Sequence, residues 1–155
     1  MGSTTIDLRQ YRTSDLQAIV QLDELCFSKE FRFDLQTMRE FAEEREAITL
    51  IAEDGGGGLV GFVIVHMQGP ATERYGYVVT LDVRLQNRCC GVADLLMNEA
   101  EGRARVARAA WMGLHVFAKN DGAIRFYERR GYRRIETKAD FYGRSLDAWV
   151  YRKDL

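Results

Sequence analysis

Residues 81–93 read Leu-Asp-Val-Arg-Leu-Gln-Asn-Arg-Cys-Cys-Gly-Val-Ala. An apolar, β-rich run closes on Leu81 and Val83, a short polar loop follows, and Val92, Leu95, Leu96 and Ala100 then recur at helical spacing. A strand that turns through small residues into a helix makes an anion site. The first helical turn carries backbone N–H groups without acceptors, and its dipole favours negative charge. Gly91 lets a bulky anion approach the backbone, Ala93 keeps the next turn slim, and Arg88 adds a fixed positive charge. The chemistry on offer is capture of a phosphate-bearing ligand; an ordinary strand-to-helix turn is the competing reading.

A second stretch, 114–132, carries groups that could move protons. Leu114 to Ala118 reads as a buried strand, and Asn120 is a favoured helix N-cap followed by Asp121. Ala123, Ile124 and Tyr127 then share one helical face, and Gly131 is the expected stop after Arg129 and Arg130. Strand alternation turns His115 away from Leu114 and Val116 and puts it with Phe117. An imidazole with a pKa of about 6.5 suits a general base, against a purely structural histidine. Tyr127 offers a phenol donor, against a core tyrosine with a satisfied hydroxyl.

Together, Arg88-x-x-Gly91-x-Ala93 and the later Asn120-x-x-Ala123-x-x-Phe126-Tyr127-x-x-x-Gly131-Tyr132 resemble the two signature segments of the GNAT acetyltransferase superfamily. The resemblance implies an α/β (α+β) fold: one mixed, twisted sheet of six to seven strands flanked by about four helices. It implies acetyl-CoA as cosubstrate, with its pyrophosphate on the loop. The coenzyme contacts would be Leu81, Asp82, Val83, Arg88, Cys89, Cys90, Gly91, Val92, Ala93, Asp94, Asn120 and Tyr127. Tyr127 would protonate the leaving sulfur, and backbone N–H groups near Val83 would meet the oxyanion.

The segment Leu114-His115-Val116-x-x-x-Asn120 resembles more narrowly the N-terminal protein acetyltransferases, including the ribosomal-protein alanine type. That likeness implies that His115 acts as base through a water, with Tyr77 sharing the work. Residues 135–148 look like the tail of those enzymes, with Phe141-Tyr142 for a Tyr-Tyr pair; Cys26-Phe27 matches a motif after the first helix. By this likeness Phe27, Phe141 and Tyr142 line a narrow peptide groove. Three departures stand out: Ser28 replaces a usual Pro, Phe141 a Tyr, and Cys89 a common Gly, with Cys90 beside it. The implied activity is direct transfer of acetyl to the α-amine of a protein or peptide N-terminus. A small-amine acceptor (polyamine, amino acid or antibiotic) is an alternative, and a non-catalytic acyl-CoA-binding regulatory module is a third reading.

The bulk properties agree. The chain has 155 residues, 46% of them apolar, which suits one domain over 1–155 with a single core. A net charge of −1 with interspersed signs leaves no footprint for nucleic acid or an anionic membrane. Arg103, Arg105 and Arg108 read as a solvated helix face. Three cysteines without metal spacing point to a reducing compartment, hence the cytoplasm, and to no metal. No apolar run is long enough to span a membrane, no signal peptide is expected, and Met1-Gly2 lacks the Ser or Thr of a myristoylation motif because Ile6 stands there. Nothing specifies an oligomer.

These groups need elements to hold them. Residues 6–11 alternate as a strand, and Ser14-Asp15-Leu16-Gln17 reads as a capping box for a helix carrying Leu16, Ile19, Val20, Leu22, Leu25 and Cys26 and running out near Phe27-Ser28. A second helix is expected over 35–44, with Leu35, Met38, Phe41 and Ala42 inward. Strands follow at 48–52, 59–65 and 75–83, the first two joined by the glycine run 55–58. A helix over 91–108, a strand over 112–118 and a helix over 121–130 complete the αβ part, and strands over 132–136 and 146–152 end the chain. Ligands in such sheets bind where neighbouring strands diverge at their carboxyl ends, here those ending near Val83 and Ala118.

Overall fold

Apolar β-rich runs separated by turn residues form one seven-stranded sheet in the computed structural model, which describes residues 5–155. The strands are β1 (Asp7–Gln10), β2 (Ile48–Glu53), β3 (Leu59–Gln68), β4 (Tyr75–Val83), β5 (Trp111–Phe117), β6 (Arg133–Lys138) and β7 (Ala148–Asp154), in the order β1-β2-β3-β4-β5-β7-β6. All neighbours are antiparallel except β4 and β5. The helices are α1 (Leu16–Cys26), α2 (Leu35–Ala42), α3 (Val92–Val106) and α4 (Asp121–Arg129). Side-chain alternation divides the core between two faces. Ile51, Phe62 and Ile64 pack with α1 and α2, while Leu50, Val63, Val65, Val78, Met112 and Leu114 pack with α3 and α4.

The site depends on one break in this sheet. Parallel pairing covers only Tyr75–Val78 against Trp111–Leu114, although both strands run on. The β3–β4 register also slips between Ile64↔Thr80 and Val65↔Val78, so Val79 is an extra residue on β4. A bulge bends its strand and increases its twist. The carboxyl ends of β4 and β5 thus part with no strand between them.

Several expectations shift. The chain makes a 3₁₀ turn over Thr13–Asp15 before α1, and Ser14 caps nothing; Asp15 instead accepts from the Arg12 N–H (2.7 Å) and from Arg9 of β1 (2.8 Å). The ion pair with Arg9 draws Asp15 into the turn. Leu25 is 82% exposed because it lies half a turn around the helix from Leu16; Asp23, on the inward side, is buried instead. Leu35 opens α2 at its solvent end and is 44% exposed. α3 stops at Val106, and Arg108 adopts φ +70° beyond it. The glycine run is a hairpin loop, with Asp54 Oδ1 accepting from the N–H groups of Gly56 (3.0 Å) and Gly58 (2.9 Å). Among the described residues no helix is long and apolar enough to cross a membrane. Met1 and Gly2 lie outside them.

Candidate active site

The loop before α3 is built as an open cradle of amides. Cys89 and Gly91 adopt φ +62° and +83°, and the first helical bond runs from Leu95 N–H to Gly91 O (3.0 Å). The amides of Val92, Ala93 and Asp94 therefore have no acceptor in the helix. A Cβ placed on Gly91 would meet nothing within 4 Å. The residue is glycine for its left-handed backbone, and the space beside it is free for a ligand. Cys89 stands where the resemblance usually has glycine, and its backbone is indeed in the left-handed region that glycine favours. Asp94 would oppose an anion here, but Arg130 holds its carboxylate at 2.9 Å.

The cradle continues onto the free edge of β4. Hydrogen-bonding sides alternate along a strand. Arg84 N–H bonds Val60 O on the β3 side (2.8 Å), so Leu81 and Val83 present their backbone groups to the open side. The Val83 carbonyl is met there by Arg88 Nε (3.2 Å) and by Cys26 Sγ (3.4 Å). The Asp82 side chain turns the other way, toward α1, and is buried. An edge of free amides leading to an amide cradle suits an extended ligand ending in phosphates, and a phosphate-bearing acyl carrier fits these residues.

Tyr127 stands across the opening on α4. Asn120 starts that helix, its Oδ1 accepting from Ala123 N–H (3.2 Å). Tyr127 is 8% exposed, and its hydroxyl has no protein partner among the described residues. Burial, with Asp82 and Tyr142 adding negative potential, pushes its pKa far above that of a free phenol, so it carries its proton.

His115 and Tyr77 meet on the α1/α2 side of the sheet, the Tyr77 hydroxyl 2.9 Å from His115 Nδ1. Tyr77 is pushed up to about 12, mainly by burial. His115 is held below its ordinary value, mainly by burial and then by the Lys138 charge. The pair is thus a neutral phenol on a neutral imidazole near pH 7. Phe141 stacks on the His115 ring at 4.1 Å and 4°. A groove of about 300 Å³ opens beside the pair, lined by Tyr75, Tyr77, Trp111, Gly113 and His115.

Aromatic rings wall this corner. Tyr142 packs edge-on against Phe141 (4.9 Å) and against Phe31 (5.0 Å), and Phe31 lies 4.9 Å from Phe117. The wall joins the α1–α2 loop to the β6–β7 hairpin. Phe27, expected here, is half-buried at the end of α1 and enters none of these ring contacts; Phe31 supplies the ring on its side. Sequence reasoning passed over Phe31, although two phenylalanines at 31 and 33 in a loop between helices were a signal. It also passed over Phe117, which follows from the alternation that placed His115. The second acidic residue beside the β4 edge, Asp23, was hidden among helix periodicities.

The acetyltransferase (GNAT) family matches residues 16–132 of the chain. The N-alpha-acetyltransferase daf-31 of Caenorhabditis elegans is 25% identical over 153 residues, covering 97% of this chain and 83% of that protein. The N-terminal acetyltransferase A complex catalytic subunit NAA10 of Arabidopsis thaliana is 27% identical over 150 residues, covering 96% and 77%. Among solved structures, Arabidopsis thaliana NAA60 in complex with a bisubstrate analogue shares the fold with a TM-score of 0.84 at 24% identity, over 97% of this chain and 98% of that one.

Proposed function

This chain belongs to the GNAT acetyltransferase family, and we propose that it transfers acetyl from acetyl-CoA directly to the α-amine of a protein or peptide N-terminus. The observation that carries the reading is the Tyr77–His115 pair at the foot of an aromatic wall, where parallel pairing of β4 and β5 ends. Relatives named as an N-alpha-acetyltransferase and an N-terminal acetyltransferase catalytic subunit, matched over nearly the whole chain, support the same acceptor class.

Acetyl-CoA supplies a thioester carbonyl open to attack by a neutral amine. The amides of residues 89–94 hold its phosphates, Leu81 and Val83 line its extended arm, and the Asn120 side chain stands at the head of α4. An N–H of the parted stretch 79–83 faces the developing oxyanion, where a preorganised donor acts most strongly. Tyr77 accepts the amine's proton, directly or through a water, while passing its own to His115 Nδ1. Tyr127 gives its proton to the departing sulfur; burial keeps that proton in place until it is needed. Phe27 at the end of α1 and the joined wall of Phe31, Phe141 and Tyr142 flank the entry for a terminal amine with a residue or two behind it. An internal lysine would drag continuous backbone past both. Much of the rate advantage is positional. The chain works as one domain over 1–155. The exposed, adjacent Cys89 and Cys90 and the free Cys26 favour the reducing cytoplasm.

Short peptides with a free or a blocked N-terminus, each with one internal lysine, test this reading. Mass spectrometry should find acetyl on the free α-amine alone. Comparable acetylation of the lysine in the blocked peptide would refute it.

A further inference from the structure

Two carboxyl groups with no part in the proposed chemistry lie buried beside it. Asp23 of α1 is 0% exposed and Asp82 of β4 is 1% exposed. Each has one satisfied oxygen: Asp23 Oδ2 accepts from the Phe33 N–H (2.8 Å), and Asp82 Oδ1 accepts from the Thr80 hydroxyl (2.5 Å). The other oxygens, Asp23 Oδ1 and Asp82 Oδ2, are buried without a donor, yet the two side chains are within hydrogen-bonding reach of each other. Two ionised carboxylates cannot satisfy one another; a carboxylic acid and a carboxylate can.

We propose that Asp23 and Asp82 share a single proton and act as a latch. It ties α1 and the Phe31–Phe33 loop, one side of the acceptor wall, to the strand whose far edge receives the coenzyme. The neighbours fit this role. Cys26 of α1 already touches Val83, the next residue along β4. Phe33 fastens the loop to Asp23 and packs on Phe41 of α2 at 5.0 Å. The charged and titratable groups around the pair are Glu24, Cys26 and Arg32 on the α1 side, Arg88 before α3 and Tyr127 on α4. Burial, and then the partner carboxyl, raises Asp82 well above the usual carboxylate range, while Arg88 opposes that rise. At neutral pH the pair keeps its proton. As pH rises past the last ionisation the proton goes to solvent, two buried negative charges face each other, and the latch opens.

Asp23→Asn isolates the idea. Its amide donates to Asp82 without a titratable proton, and its oxygen still accepts from Phe33. A protonated carboxyl band in the infrared spectrum at neutral pH should be present in the wild type and lost in D23N. Protection of the Phe33 amide, taken relative to its base-catalysed intrinsic exchange rate, should fall at alkaline pH in the wild type and not in D23N. The kinetic consequence rests on the proposed function: acceptor KM should rise at alkaline pH in the wild type relative to D23N. Asp23→Ala, which leaves Phe33 N–H and Asp82 unpaired, should raise acceptor KM about tenfold at neutral pH, with D23N restoring it. Absence of the infrared band in the wild type would overturn the shared proton. Phe33 protection that varies identically with pH in the two proteins would overturn the latch. Neither readout needs turnover, so a wrong acceptor assignment would show separately, as missing N-terminal acetylation in every variant.

Discussion

Replacing Gly91 with valine separates folding from coenzyme capture. The backbone there has φ +83°, which an L-residue adopts at a cost of about 1–2 kcal/mol. Nothing lies within 4 Å of the Cβ position, so the cost is set by the backbone and not by a neighbouring side chain at Cβ. For a chain of this size each kcal/mol lowers Tm by about 2–4 °C, and the variant should remain folded. The valine methyl groups would occupy the space that the anion needs, between the amides of residues 89–94. Calorimetry should find acetyl-CoA affinity reduced by about a hundredfold or more, the order lost when several charge-assisted hydrogen bonds go together. Gly102 provides the control. It lies inside α3, also with nothing within 4 Å of its Cβ position and with no positive φ. Gly102→Ala should stabilise the protein by about 0.5–1 kcal/mol and leave affinity alone. Unchanged affinity in Gly91→Val would refute the cradle. Global unfolding of that variant would show instead that the loop is needed for the fold.

Tyr127→Phe should lower turnover by about 10²–10⁴-fold with coenzyme affinity nearly intact, since only the proton donor is removed; single-turnover kinetics with wild-type rates would exclude that role. If neutral His115 is the base, the rate falls as pH drops through its pKa, which burial and Lys138 set below the ordinary histidine value. His115→Phe should abolish that acid limb. Lys138→Gln, by removing a nearby positive charge, should move the limb to higher pH, and a pH–rate profile unaltered in both variants would return His115 to a structural role.

Much of the candidate site's framework is legible because its parts are local. The cradle follows from strand, small residues and helix start within one short stretch. The Asn120 cap needs only its own helix, and the pairing of His115 with Phe117 on one face needs only alternation. The limits appear where a contact crosses elements. Counting apolar residues along α1 includes Leu25, whereas its angle puts it opposite Leu16, and docking on β3 and β4 buries the face that carries Asp23. The same docking decided that Phe31, in a loop without periodicity, would meet Tyr142.

What the sequence determined by itself is the set of elements, the αβ class and the strand-to-helix turn that leaves amides open before α3. Backbone preference, capping and amphipathic spacing act over a few residues and can be read in place. Tertiary structure alone decided where pairing of β4 and β5 stops, that β7 lies between β5 and β6, and that the Asp23 and Asp82 carboxyls are buried side by side. Those outcomes depend on strand register and helix docking, which sum many weak contacts between residues far apart in the chain, and no short window of sequence contains that sum.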